Sequence, residues 1–207
     1  MGCNVFDDVH APSFSVFMEM EDVIEDIRCR NRWSPLRTKR LASLVKNRFA
    51  QHGNPHVKPE VAVQGYVREK CWDLAWTPNG AARLAVSLKT IGGRNGGRYC
   101  ATMVNRLDDV VGEMTSVKLA NPDIVTGYMV LIDVRIDSFS PKFQCRWSQW
   151  FRDRLDHLVG GGKFINGLWL ASYDSTRPYG DRLVDPQWAT DDLDRCVKSL
   201  IADTQRA

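Results

Sequence analysis

The chain has 207 residues, 43% of them hydrophobic, seven Trp and a formal net charge of +3. That length suits one domain with an ample core, and no stretch reaches the ~18 apolar residues of a membrane span. The N-terminus lacks the charged and apolar regions of a secretory signal, so the six scattered Cys read as reduced thiols of a cytoplasmic protein. The four His form no metal-ligand spacing with them, which argues against a zinc site. The mild positive charge permits nucleic-acid binding without requiring it. The expected organisation is a single domain over 1–207: a helical part at 1–53, a core at 57–136, and a C-terminal helix-strand-loop-helix part at 137–207.

Taken in order, residues 1–14 read as irregular. From Ser15 to Arg28 apolar residues recur at helical spacing, with acids on the remaining face. Ser34-Pro35 is a good cap and first-turn pair, predicting a second helix to about Gln51. Its inward residues are Leu36, Leu41, Leu44, Val45 and Phe49. The other face carries Arg37, Lys39, Arg40, Lys46 and Arg48, either a solvated basic face or a phosphate contact. A short strand is expected within 57–67, with Glu60 near its start.

Asn79-Gly80 between two alternating apolar runs is a strong hairpin signal. It predicts antiparallel strands at about 70–77 and 82–91. Side chains alternate along a strand, so Trp72, Leu74 and Trp76 should share a face with Leu84, Val86 and Leu88. The opposite face carries Cys71, Asp73, Ala75, Ala85, Ser87 and Lys89: small residues around one carboxylate, one hydroxyl and one amine. Small neighbours leave room for a substrate to approach.

Residues 92–98 form a Gly-rich loop without the Gly-Lys-[Ser/Thr] of a Walker motif; Arg94 and Arg98 suit contact with DNA. The helix predicted over 100–118 buries Met103, Leu107, Val110, Val111, Met114 and Val117. Asn105, Asp109, Glu113 and Ser116 follow a second stripe. Residues 126–136 read as a central buried strand and 138–143 as a loop. Trp147 to Leu158 is an amphipathic helix, 165–173 a strand, 174–186 a polar loop, and 185–202 a final helix.

An aspartate on one strand of a hairpin, followed on the next by an acid-x-Lys triplet, marks the PD-(D/E)XK nuclease superfamily. This chain resembles it, and within it the type II restriction endonucleases, over residues 60–128. Asp73 stands as the first acid and Ser87-Leu88-Lys89 as the triplet. The run Asn105-Arg106 to Gly112-Glu113 is similar to the Asn-Arg and Gly-Glu pairs of many restriction-type sequences. The chain departs in having Trp72 where Pro usually precedes the aspartate, and Ser87 where an acid usually stands. In some members with serine there, a helix acid supplies the missing carboxylate.

The resemblance implies a restriction-endonuclease-like α/β fold with an αβββαβ core, in which helices flank a mixed central sheet. It implies a prokaryotic, Mg²⁺-dependent endonuclease acting on double-stranded DNA, working as a homodimer in restriction-modification. The catalytic set would be Asp73, Ser87, Lys89 and Glu113. Asp73, the Leu88 carbonyl, Glu113 and Asp109 are the candidate metal ligands, since Mg²⁺ takes hard oxygen donors. Glu60 and Glu69 are alternative acids. Arg94, Arg98, Asn105, Arg106, Arg177, Tyr179 and Arg182 are the candidate DNA contacts, with Arg177 and Arg182 suited to bidentate contact with guanine. Other readings are a repair or recombination nuclease of the same fold and an inactive DNA-binding relative.

Overall fold

The computed structural model describes residues 11–29, 38–92, 99–159 and 164–206. Its elements alternate as an α/β chain should: α1 (Ala11–Cys29), α2 (Lys39–Gln51), β1 (Lys58–Gln64), β2 (Glu69–Trp76), β3 (Leu84–Ile91), α3 (Tyr99–Ala120), β4 (Val125–Asp133), β5 (Phe139–Ser140), β6 (Cys145–Arg146), α4 (Trp147–Val159), β7 (Gly167–Tyr173) and α5 (Pro186–Arg206). The expected opening of α2 at Ser34-Pro35, the 93–98 loop with Arg94 and Arg98, and Gly160-Gly161-Gly162 lie outside the described residues. The 138–143 segment, expected as a loop, contains β5, which pairs with β6 in a small hairpin.

A mixed five-stranded sheet in the order β1-β2-β3-β4-β7 forms the middle layer. β1, β2 and β3 are antiparallel neighbours; β3, β4 and β7 run parallel. The nine residues of β4 are all buried, as a central strand covered on both faces requires. On one face α1, α2 and α5 pack Met20, Leu44 and Leu193 against Leu74, Val86, Leu88 and Trp169. On the other, α3 and α4 pack Met103, Met114 and Phe151 against Trp72, Ala85, Tyr128 and Val130. α5 comes especially close. A Cβ on Gly127 or Gly167 would stand 2.9 or 2.7 Å from Leu200 atoms, closer than carbon contacts allow.

The turn at Pro78–Gly80 has left-handed backbone at Asn79 (φ 56°) and Gly80 (φ 81°), the conformation that Asn-Gly tolerates best. The hairpin it joins is shorter than expected: β2 and β3 pair at only three positions, Leu74–Val86, Ala75–Ala85 and Trp76–Leu84. Alternation also slips at Asp73. Trp72 packs with Ala75 on the α3 face, whereas Leu74 packs on the opposite face, so Trp72 and Leu74 do not share a side. The slip has a counterpart on β1. Continuing the register puts Glu60 opposite Asp73, yet that pair is skipped and Glu60 has φ 52°, a strained value for a non-glycine residue.

Candidate active site

Where the β2–β3 ladder stops, the Asp73 side chain takes its place. Asp73 Oδ2 accepts the Leu88 N–H at 2.8 Å and lies 3.5 Å from the Ser87 hydroxyl, which donates to it. The Lys89 ammonium stands 3.9 Å from the same oxygen. Every one of these contacts uses Oδ2. Ser87 and Lys89 lie two apart on β3, on the face of Ala85 and Ile91 that turns toward α3. The structure thus brings together the three hairpin residues that the sequence singled out.

Lys89 is largely buried, and burial drives its pKa below the ordinary lysine value. The charges of Asp73 and Glu113 oppose that shift, whereas Lys70 and Arg106 add to it. A buried ammonium is costly to keep charged, so the amine gives up its proton more readily than a surface lysine would.

α3 supplies the surrounding charges. Glu113 is paired with Lys70 of β2, and Lys70 also sits over the Trp72 ring, 4.7 Å from its centroid. Asp109 is paired with Arg106 one turn back, at 2.7 Å. Both candidate acids of the stripe therefore carry a cation, Glu113 one from β2 and Asp109 one from α3 itself. Ser116, the stripe's last member, serves the backbone: its hydroxyl accepts the Val67 N–H and its carbonyl the Tyr66 N–H, fastening α3 to the β1–β2 turn. Asn105 is exposed. Glu60 and Glu69 are exposed and make no hydrogen bond or ion pair with Asp73, Ser87 or Lys89. Among the described residues, no three His, Cys, Asp or Glu side chains are grouped to hold a metal.

The 174–182 loop differs from expectation at Arg182. That side chain is 4% exposed; its guanidinium pairs with Glu25 of α1 at 2.5 Å and its Nε donates to the Arg177 carbonyl. Buried and held by Glu25 and the Arg177 carbonyl, it is a strut holding the loop on α1 rather than a group offered to a base. Tyr179 is exposed but donates its hydroxyl to Asp22 at 2.7 Å. Arg177, half exposed and 3.7 Å from Asp174, remains presented to solvent. On α2, Arg48 is buried and donates to Asp194 of α5 at 2.7 Å, a structural tie, and α2 covers the sheet face opposite Lys89.

Two residues of the site were not singled out from the sequence. Lys70 looked like one more exposed strand cation; its role follows from the pleat slip that turns Trp72 toward α3. Tyr128 looked like core. It does lie in the α3-side core, on β4 directly beside Ser87 in the parallel register, and its buried hydroxyl has no hydrogen-bond partner among the described residues.

No protein-family model, curated protein or solved structure matches this chain.

Proposed function

We propose that this protein is a Mg²⁺-dependent endonuclease that hydrolyses double-stranded DNA, in the manner of a type II restriction enzyme working as a homodimer on a two-fold site. The observation that carries the reading is the Asp73–Leu88–Lys89 arrangement: a carboxylate held by one oxygen against the next strand, beside a buried amine. Asp73 Oδ1 and the Leu88 carbonyl are hard oxygen donors of the type Mg²⁺ takes, and one carboxylate from α3, Glu113 before Asp109, would join them. When bound, the cation lowers the pKa of the attacking water and neutralises phosphate charge. Lys89 would orient that water and, with its depressed pKa, accept its proton. Asp73 keeps Lys89 in position, and the backbone N–H of Leu88 fixes Asp73. Arg177, Asn105 and Arg106, with Arg94 and Arg98, are the proposed DNA contacts, and Tyr179 lies beside Arg177 in the same loop.

A second reading is a DNA-binding relative without catalysis. It is favoured by the Lys70–Glu113 and Arg106–Asp109 pairs, which engage both acids. One experiment separates the two. The purified protein is incubated with plasmid and with genomic DNA at graded Mg²⁺, with a chelator control. Discrete fragments that vanish on chelation support the restriction-type reading, and smears or a preference for branched substrates point to a repair nuclease. DNA binding without cleavage would establish the inactive relative, and neither binding nor cleavage would overturn both readings.

A further inference from the structure

We propose that Tyr128 is a positioning residue of this site: its hydroxyl donates to the α3 carboxylate, Glu113 first, that joins Asp73. The inference rests on the nuclease reading. Tyr128 neighbours Ser87 in the β3–β4 register, so it stands beside the position that lacks an acid. Its ring is buried against α3, and its buried hydroxyl has no hydrogen-bond partner among the described residues. Such a group normally costs stability and is seldom retained without a use. Arg106, Glu113, Asp109 and Asp73 all act electrostatically on this phenol. Burial is the main cause of its raised pKa, so Tyr128 stays protonated and can only donate when it meets a carboxylate. Glu113 is held by Lys70 in this structure. A donor waiting on the sheet would steady that carboxylate once it turns from Lys70 toward Asp73.

Tyr128→Phe keeps the ring and removes only the donor. Two measurements are made on wild type and variant: thermal melts with and without Mg²⁺, and cleavage against Mg²⁺ concentration. Without Mg²⁺ the variant should melt at the wild-type temperature or above it, because no bond is lost. The rise in melting temperature on adding Mg²⁺ should shrink, and the Mg²⁺ concentration for half-maximal cleavage should increase severalfold. Glu113→Ala should remove the difference between Tyr and Phe at 128. A variant with wild-type Mg²⁺ response in both measurements overturns the inference while leaving the nuclease reading intact. So does a lowered Mg²⁺-free melting temperature with an unchanged Mg²⁺ response, which would mark a purely structural tyrosine. A wild type that neither cleaves DNA nor responds to Mg²⁺ overturns the nuclease reading, and the inference with it.

Discussion

Glu21 and Asp73 both accept backbone N–H groups, and they do opposite things. Glu21, fully buried on α1, accepts the N–H groups of Gly180, Arg182 and Leu183 and straps the 174–183 loop to the body. Asp133 does the same at the loop's start, accepting the Ser175 hydroxyl at 2.8 Å. Asp73 accepts one N–H, and its side chain remains 31% exposed beside Lys89. A carboxylate whose oxygens are filled by the fold is a fastener. One held by a single oxygen, with an amine 3.9 Å away, keeps capacity for a ligand.

The sharpest way to break this contrast is at Lys89. Lys89→Ala should keep the fold and DNA affinity but lower cleavage by ~10²–10⁴-fold, the scale of a lost proton-transfer group. A well-folded variant that cleaves within tenfold of wild type would remove Lys89 from the mechanism. Because its amine must be neutral to take a proton, the wild-type rate should climb with pH up to the depressed Lys89 pKa and then level off. The same shift acts on stability. Between the folded and unfolded pKa values the unfolded chain holds more protons, so stability rises with pH through that window. Melting curves of Lys89→Met should lose this component.

The opposite effect is expected at Glu21. Glu21→Ala leaves three N–H groups unpaired, two of them buried at about 1–3 kcal/mol each. A domain of this size shifts its melting temperature by ~2–4 °C per kcal/mol. Calorimetry should therefore show a drop of at least ~4 °C. An unchanged melting temperature would mean that the strap does not hold the loop.

Glu113→Ala and Asp109→Ala address which acid completes the site. Glu113→Ala should raise the Mg²⁺ requirement about tenfold, in line with a ligand worth roughly 1.4 kcal/mol. Asp109→Ala should act less, and Glu60→Ala and Glu69→Ala hardly at all. Full activity of all four at low Mg²⁺ would leave Asp73 without a partner acid. The smallest effect belongs to the loop: Arg177→Ala should weaken or relax recognition by ~1–3 kcal/mol, read from cleavage of near-cognate sites. Arg182→Ala should instead lower the melting temperature, because it removes a buried guanidinium from Glu25 and leaves the Arg177 carbonyl without its donor.

Sequence alone determined the elements and the centre of the site. Hydrophobic periodicity marked the helices, the Asn79-Gly80 turn and the nearly unbroken apolar run of β4, because those signals are local and repeat with the backbone period. Period-2 counting likewise put Asp73, Ser87 and Lys89 on one face, and the observed contacts agree. Tertiary structure decided what each exposed-looking polar residue does. Arg182 and Arg48 are as basic in sequence as Arg177, yet α1 and α5 supply carboxylate partners more than a hundred residues away that hold them buried. The slip at Asp73 depends on a β1 partner with strained backbone, and Tyr128 stands beside Ser87 only because β3 and β4 are parallel neighbours. Pairings between segments far apart in the chain leave no period in the sequence, so burial, ion pairing and the completion of the site appear only when the sheet and its covering helices are assembled.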